Sequence, residues 1–359
     1  MSETKKKPAK ATKTAAKTVT KTAKAGDAAE TAKAAAAPAK AAAAAPVSAP
    51  VSAAVPEEVS ATVSAPTPAA ASRSSVRKTY KLYIGGAFPR SESGRSYAVA
   101  ASTGEFIANA AQASRKDARD AVRVARAAQP GWAKATAYNR GQILYRIAEM
   151  LEERRDQFAQ QIAGVEGIST EAAYAQVDAA VDRWVWYAGW SDKLAQVLGA
   201  ANPVAGPYWN VSSPEPTGVV ALLAPATPTL LGLTSVIAPA IVGGNTVVAV
   251  APDASALPAV TLGEVMATSD LPGGVVNILT GGTAELAPWL ASHLDVNALD
   301  LAGVPAGSDL ARDLEIAAAD NLKRVVRPAP GGPDWTADPG LSRMKPFLET
   351  KTVWHPIGI

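Results

Sequence analysis

The 359-residue sequence contains no cysteine. That excludes a disulfide framework, a thiolate metal site and a thiolate nucleophile. It has only two histidines, His293 and His355, too far apart in sequence to suggest a metal site. No apolar run reaches the length that spans a bilayer, because prolines and glycines interrupt the longest ones. The N-terminus lacks the apolar core of a secretion signal. These two absences point to a protein without membrane association and to a cytoplasmic location.

Charge is unevenly distributed. Residues 1–78 carry 13 Lys and Arg against five acids, and residues 79–359 carry 22 against 27. A basic tail therefore precedes a mildly acidic body. In the tail, Lys10, Lys13, Lys17, Lys21 and Lys24 recur at helical spacing, but no large apolar residue lies opposite them. This predicts disorder in water. Residues 41–72 are Ala, Pro, Val and Ser, the composition of an extended linker. Clustered lysines can displace counterions from nucleic acid, so nonspecific nucleic-acid binding is one reading and a solubilising tail is the other. No aromatic residue is interleaved for base stacking.

The body alternates strand and helix signals. Tyr80–Phe88 reads as a short strand with a Gly85–Gly86 turn. Ser114 and Asp117 form a capping-box pattern before a helix over Arg115–Ala128, with Ala118, Ala121, Val122 and Ala125 on its inner stripe. Ile143, Leu144, Ile147, Met150 and Leu151 mark the next helix, and Phe158 and Ile162 continue the apolar series. Asp182–Lys193 holds three tryptophans and reads as core or subunit interface. Gly206–Ser213 reads as a hairpin. Val219–Leu223 and Thr246–Val250 are continuous apolar runs of strand length, flanking a helical pattern over Leu230–Ile241. That is the crossover unit of a parallel sheet. Further on, Asp253–Thr268 and Ala284–His293 read as helices, and Leu271–Leu279 and Leu322–Arg327 carry strand signals. Pro330–Leu341 is rich in Gly and Pro.

G-V-V at Gly218, I-A-P-A at Ile237, G-N-T-V-V at Gly244, L-P-G-G-V-V-N at Leu271 and Y-A-G-W at Tyr187 occur in an order that resembles the aldehyde dehydrogenase family. The resemblance runs from Tyr80 to Arg327 and recurs at Phe347–Trp354. It implies an α/β fold: a Rossmann-like parallel sheet with flanking helices, an oligomerisation hairpin and a C-terminal strand that pairs with a neighbouring subunit. The expected divisions are a disordered tail and linker over 1–78, a nucleotide-binding domain over 79–327, a linker over 328–346 and an oligomerisation strand over 347–359.

The departures from the family pattern concern chemistry. Thr227 stands where the family has the asparagine that helps hold the oxyanion. Val250 replaces the lysine that holds the cofactor ribose, and Asp253 stands for a family glutamate. Gly303 is kept, but Ala302 and Val304 replace the Thr and Ser around it. Pro328–Ala329–Pro330 replaces the segment with the general-base glutamate. The family's catalytic domain is expected to be missing, and its cysteine is absent. Asp253 and Gly303 remain as candidate cofactor-binding residues, each with a plain alternative as a helix cap and a turn glycine. NAD binding is expected to be weak or absent.

The resulting expectation is a non-catalytic family member that forms a homo-oligomer, or a hetero-oligomer with a full-length aldehyde dehydrogenase. One alternative is an NAD-dependent aldehyde oxidoreductase using Ser, Thr or Lys, which would need an adjacent base. The other is a tether whose tail binds nucleic acid.

Overall fold

A computed structural model of the chain describes residues 76–358. The expectations for the basic tail fall on residues 1–75 and lie outside it. The described chain opens with β1 (Thr79–Tyr80), β2 (Ser96–Ala100) and β3 (Phe106–Ala111), which form a small sheet in the order β1-β3-β2. The strand expected over Tyr80–Phe88 is instead broken. Beyond β1, Tyr83 and Ile278 exchange both backbone hydrogen bonds, at 3.0 and 2.7 Å. Gly85 and Gly86 then turn the chain with φ of 65° and 80°, a conformation only glycine adopts readily.

Four long helices follow: α1 (Arg115–Lys134), α2 (Ala137–Glu152), α3 (Arg155–Glu166) and α4 (Thr170–Trp190). The Ser114–Asp117 capping box is present in both directions. The first helix was expected to end at Ala128, yet it continues through Pro130. Its last turn is fixed by Trp132, which is buried and donates Nε1–H to the Ile241 carbonyl at 2.8 Å. That burial offsets the roughly 3 kcal/mol a proline costs inside a helix. The short α5 (Leu194–Leu198) leads into the hairpin β4 (Ala200–Asn202) and β5 (Tyr208–Pro216).

The centre of the body alternates β6 (Val219–Leu223), α6 (Thr229–Val242), β7 (Thr246–Ala251), α7 (Ala256–Ala267), β8 (Val276–Thr280), α8 (Thr283–Ser292), β9 (Ala298–Asp300), α9 (Asp309–Ala319) and β10 (Arg324–Val326). The segment expected as one helix from Asp253 begins as a 3-10 turn, Asp253–Ser255, before α7. The five strands form an all-parallel sheet in the order β10-β9-β6-β7-β8. Both faces are covered, which explains the unbroken apolar runs. Val220, Leu222, Val247 and Ala249 face a core shared with α2, α3, α4, α6 and α7. Val219, Ala221, Leu223, Val248 and Val250 face the core under α1, α8 and α9. Among the described residues no helix is long and apolar enough to cross a membrane.

The last strand is β11 (Leu348–Pro356), the segment whose resemblance implies pairing with a neighbouring subunit. It pairs with β5 of its own chain, antiparallel, from Leu348 opposite Pro216 to Pro356 opposite Tyr208. Asn245 of the G-N-T turn sets the start of this ladder. Its Nδ2 donates to the Phe347 and Ala240 carbonyls, both at 2.9 Å, and its Oδ1 accepts from Gly218 N at 2.8 Å. The resulting sheet has the order β11-β5-β4.

Residues 328–346 contain no regular element before the short turn at Lys345, yet they do not hang free. Trp335 and Met344 are buried in the main core. The Arg183 guanidinium donates to the Trp335 and Ala337 carbonyls at 2.6 and 3.1 Å. Arg343 pairs with Asp300, which is fully buried at the end of β9, and its guanidinium lies over the Trp335 ring. The stretch expected as a linker is fastened to α4 by Arg183 and to the sheet by Arg343.

Candidate functional site

In a doubly wound sheet, ligands bind beyond the carboxyl ends of the strands where the strand order reverses. Here the chain moves outward from β6 to β7 and β8, then returns to place β9 on the other side of β6. A crevice of about 420 Å³ opens at that point. One wall is Pro225–Ala226–Thr227 after β6, the second is Ala302–Ala306 after β9, and the third is contributed by Pro328, Ala329, Gly331 and Gly332.

The structure brings Thr227 and Gly303 into this crevice together. Asp253 does not line it. It sits at the carboxyl end of β7, where Tyr97 donates its hydroxyl to the Asp253 carbonyl at 3.4 Å. Partial burial holds the Asp253 carboxyl above its ordinary value.

Gly303 makes a close backbone approach. A Cβ there would fall 2.0 Å from the Ala224 carbonyl oxygen. Its amide donates to the Leu223 carbonyl at 2.8 Å, and the Val304 amide donates to Leu301 at 2.9 Å. The Val304 side chain is buried, and it packs into the core under α8 and α9. Both amides that could meet a pyrophosphate are thus occupied by the chain's own carbonyls.

The N-terminus of α6 is also occupied. A helix start after the first strand of such a sheet is a natural anion site. Here Glu166, at the end of α3, accepts from Thr229 N at 2.7 Å and from Thr229 Oγ1 at 2.6 Å. Gln176 of α4 accepts from Leu230 N at 3.0 Å and donates to Glu166 at 3.1 Å. A protein carboxylate therefore caps the helix end. The residues of this crevice do not fit a dinucleotide: the candidate donors are already bonded and no lining residue is charged.

Nucleophilic chemistry has equally little to work with. Thr227 carries the only side-chain hydroxyl in the lining, with no acid or base beside it there. An alcohol without a neighbouring base is a poor nucleophile. Among the described residues no group of three or more His, Asp and Glu could hold a metal ion. Glu166, Gln176, Asp300 and Arg343 were not singled out in the sequence. A Glu before a helix-ending glycine, or an Arg in a loop, carries no periodic signal that would distinguish it.

Fold and crevice together define an α/β protein built on the doubly wound plan of nucleotide-binding proteins. The chain belongs to the aldehyde dehydrogenase family, whose model matches residues 88–332. It is 33% identical to retinal dehydrogenase 2 of Gallus gallus over 268 residues, covering 72% of this chain and 50% of that protein. It is 32% identical to aldehyde dehydrogenase family 2 member B4, mitochondrial, of Arabidopsis thaliana, covering 68% and 46%. Among solved structures, PnpE in complex with nicotinamide adenine dinucleotide superposes with a TM-score of 0.65 and 28% identity, over 68% of this chain and 50% of that one. A putative aldehyde dehydrogenase from Burkholderia cenocepacia gives a TM-score of 0.65 and 29% identity, over 68% and 50%. The chain spans about half the length of the relatives it matches.

Proposed function

We propose that this chain is a non-catalytic aldehyde dehydrogenase homologue that assembles with a second copy of itself or with a full-length aldehyde dehydrogenase subunit. The observation that carries this reading is the β11-β5-β4 sheet. β11 has β5 on one side and an open edge on the other. Tyr208, Trp209, Val353 and Trp354 stand exposed on this sheet, with Trp209 and Trp354 60% and 57% accessible. An exposed edge flanked by large apolar side chains favours pairing with another chain. Members of the family commonly form oligomers.

The crevice supports the non-catalytic half of the reading. It has no thiol, no lining acid or base, and no free backbone donors at Gly303 and Val304. Calorimetric titration of the intact chain with NAD is expected to show no saturable binding, and aldehyde oxidation is expected to stay at the blank rate. Turnover that requires Thr227 would instead favour the oxidoreductase alternative. The assembly half is tested by replacing Trp209 and Trp354 with Ser together. Sedimentation should then show the intact chain shifted to the monomer. An unchanged assembly would place the contact elsewhere.

A further inference from the structure

A second cleft, of about 600 Å³, lies between the start of α1 and the end of α8 and shares no lining residue with the crevice. Its walls include Arg115, Lys116 and Arg119 from α1, Trp289 from α8, His293 at that helix's end, and Glu92. The capping box satisfies the start of α1 internally, so the cleft owes its positive character to side chains. Arg115 and Arg119 are four residues apart and therefore neighbours on one helix face.

The cationic groups are not equivalent. Glu92, the only carboxylate in the walls, is held by Lys116 Nζ and Ser114 Oγ, each at 3.0 Å. Arg119 reaches Asp120, outside the walls, at 3.1 Å. Arg115 has no acidic partner among the described residues. Its guanidinium lies over Trp289, with Cζ 3.4 Å from the ring centroid. Stacking fixes the guanidinium plane while leaving its in-plane N–H groups directed away from the ring. Trp289 is itself 40% exposed, which leaves apolar surface beside the cationic group. His293 accepts from Asp295 N through Nδ1 at 3.1 Å, and burial holds it below its usual value. It therefore adds a neutral ring to the wall at neutral pH.

We infer that this cleft binds the phosphate group of a small phosphorylated molecule, with Arg115 as the oriented fork, Arg119 as the second cation and Trp289 as the surface against which the rest of the molecule lies. A guanidinium fork matches phosphate oxygens in pairs. Arg115, without an acidic partner among the described residues and stacked on Trp289, with Arg119 one turn away, suits an anionic group. The inference stands independently of the assembly proposed above.

The test uses the intact chain labelled with 15N-tryptophan. The Trp289 indole signal is assigned by its loss in Trp289→Phe, and ADP and inorganic phosphate are the two probes. Saturable movement of the Trp289 signal is expected with both probes, and tighter binding of ADP would show that the organic part contributes. Arg115→Gln should weaken ADP binding by about tenfold. Unmoved indole signals of the other tryptophans would show that the variant keeps its fold. Equal affinity in Arg115→Gln, as when the lysine-rich segment alone attracts phosphate, would overturn the inference. So would a Trp289 signal that does not move with either probe.

Discussion

At the scale of single residues, backbone contact decides more than side-chain chemistry. Gly303 was read as a cofactor-binding glycine or a turn glycine, and its surroundings explain its presence without a ligand. Gly303→Ala would drive a methyl group into the Ala224 carbonyl. It should lower stability in urea unfolding by about 3 kcal/mol, the upper range for overpacking. Gly131→Ala is the contrasting case. It lies in α1 with no atom near its missing Cβ, so it should gain up to about 1 kcal/mol. The Asp300–Arg343 pair makes a pH-dependent prediction. Burial pushes the Asp300 carboxyl up, and Arg343 pulls it down. Arg343→Met removes the opposing charge, which should cost about 3–5 kcal/mol at neutral pH. With the folded carboxyl titrating above its unfolded value, stability is present at low pH and lost as pH rises. Unfolding midpoints of Arg343→Met should therefore fall further below wild type as pH rises above the ordinary carboxylate range.

At the scale of elements, β11 carries the account. Its base is held by Asn245, and its second residue is tied to the neighbouring sheet by the Arg324–Glu349 pair at 2.5 Å. The Arg324 hydrogen bond keeps the Glu349 carboxyl below its ordinary value. Such a group contributes stability above its unfolded value and loses it as pH falls through the depressed one. Arg324→Gln should thus lower the urea midpoint at pH 7 and leave it nearly unchanged at pH 3. The effect should stay within about 1 kcal/mol and shrink in salt, because the pair is half exposed. The parallel-sheet strands and crossover helices were legible in the sequence because apolar runs, helical stripes and Gly-Asn turns mark them. What was not legible depended on distant contacts. Pro130 gave no reason to extend α1, because the anchor is a Trp132–Ile241 bond across the fold. Residues 328–346 looked like a linker because two arginines, not periodic apolar residues, fasten them. The resemblance named Asp253 and Gly303 together as cofactor-binding candidates and Thr227 as the replaced oxyanion position, whereas the crevice unites Thr227 with Gly303. The offset of Asp253 from that lining depends on how the chain leaves β7.

At the scale of the whole molecule, a family fold is retained while the groups its chemistry would use are replaced or occupied. Thr227 lacks a base, the Gly303 and Val304 amides are bonded internally, and Glu166 occupies the start of α6. The open edge of the β11-β5-β4 sheet is the surface proposed above for association. The most direct measurement is size-exclusion chromatography with light scattering on the intact chain, alone and mixed with a full-length aldehyde dehydrogenase from the same cell. The account predicts a mass above that of the 36.7 kDa monomer, or coelution with the full-length subunit. A monomer in both experiments would contradict it.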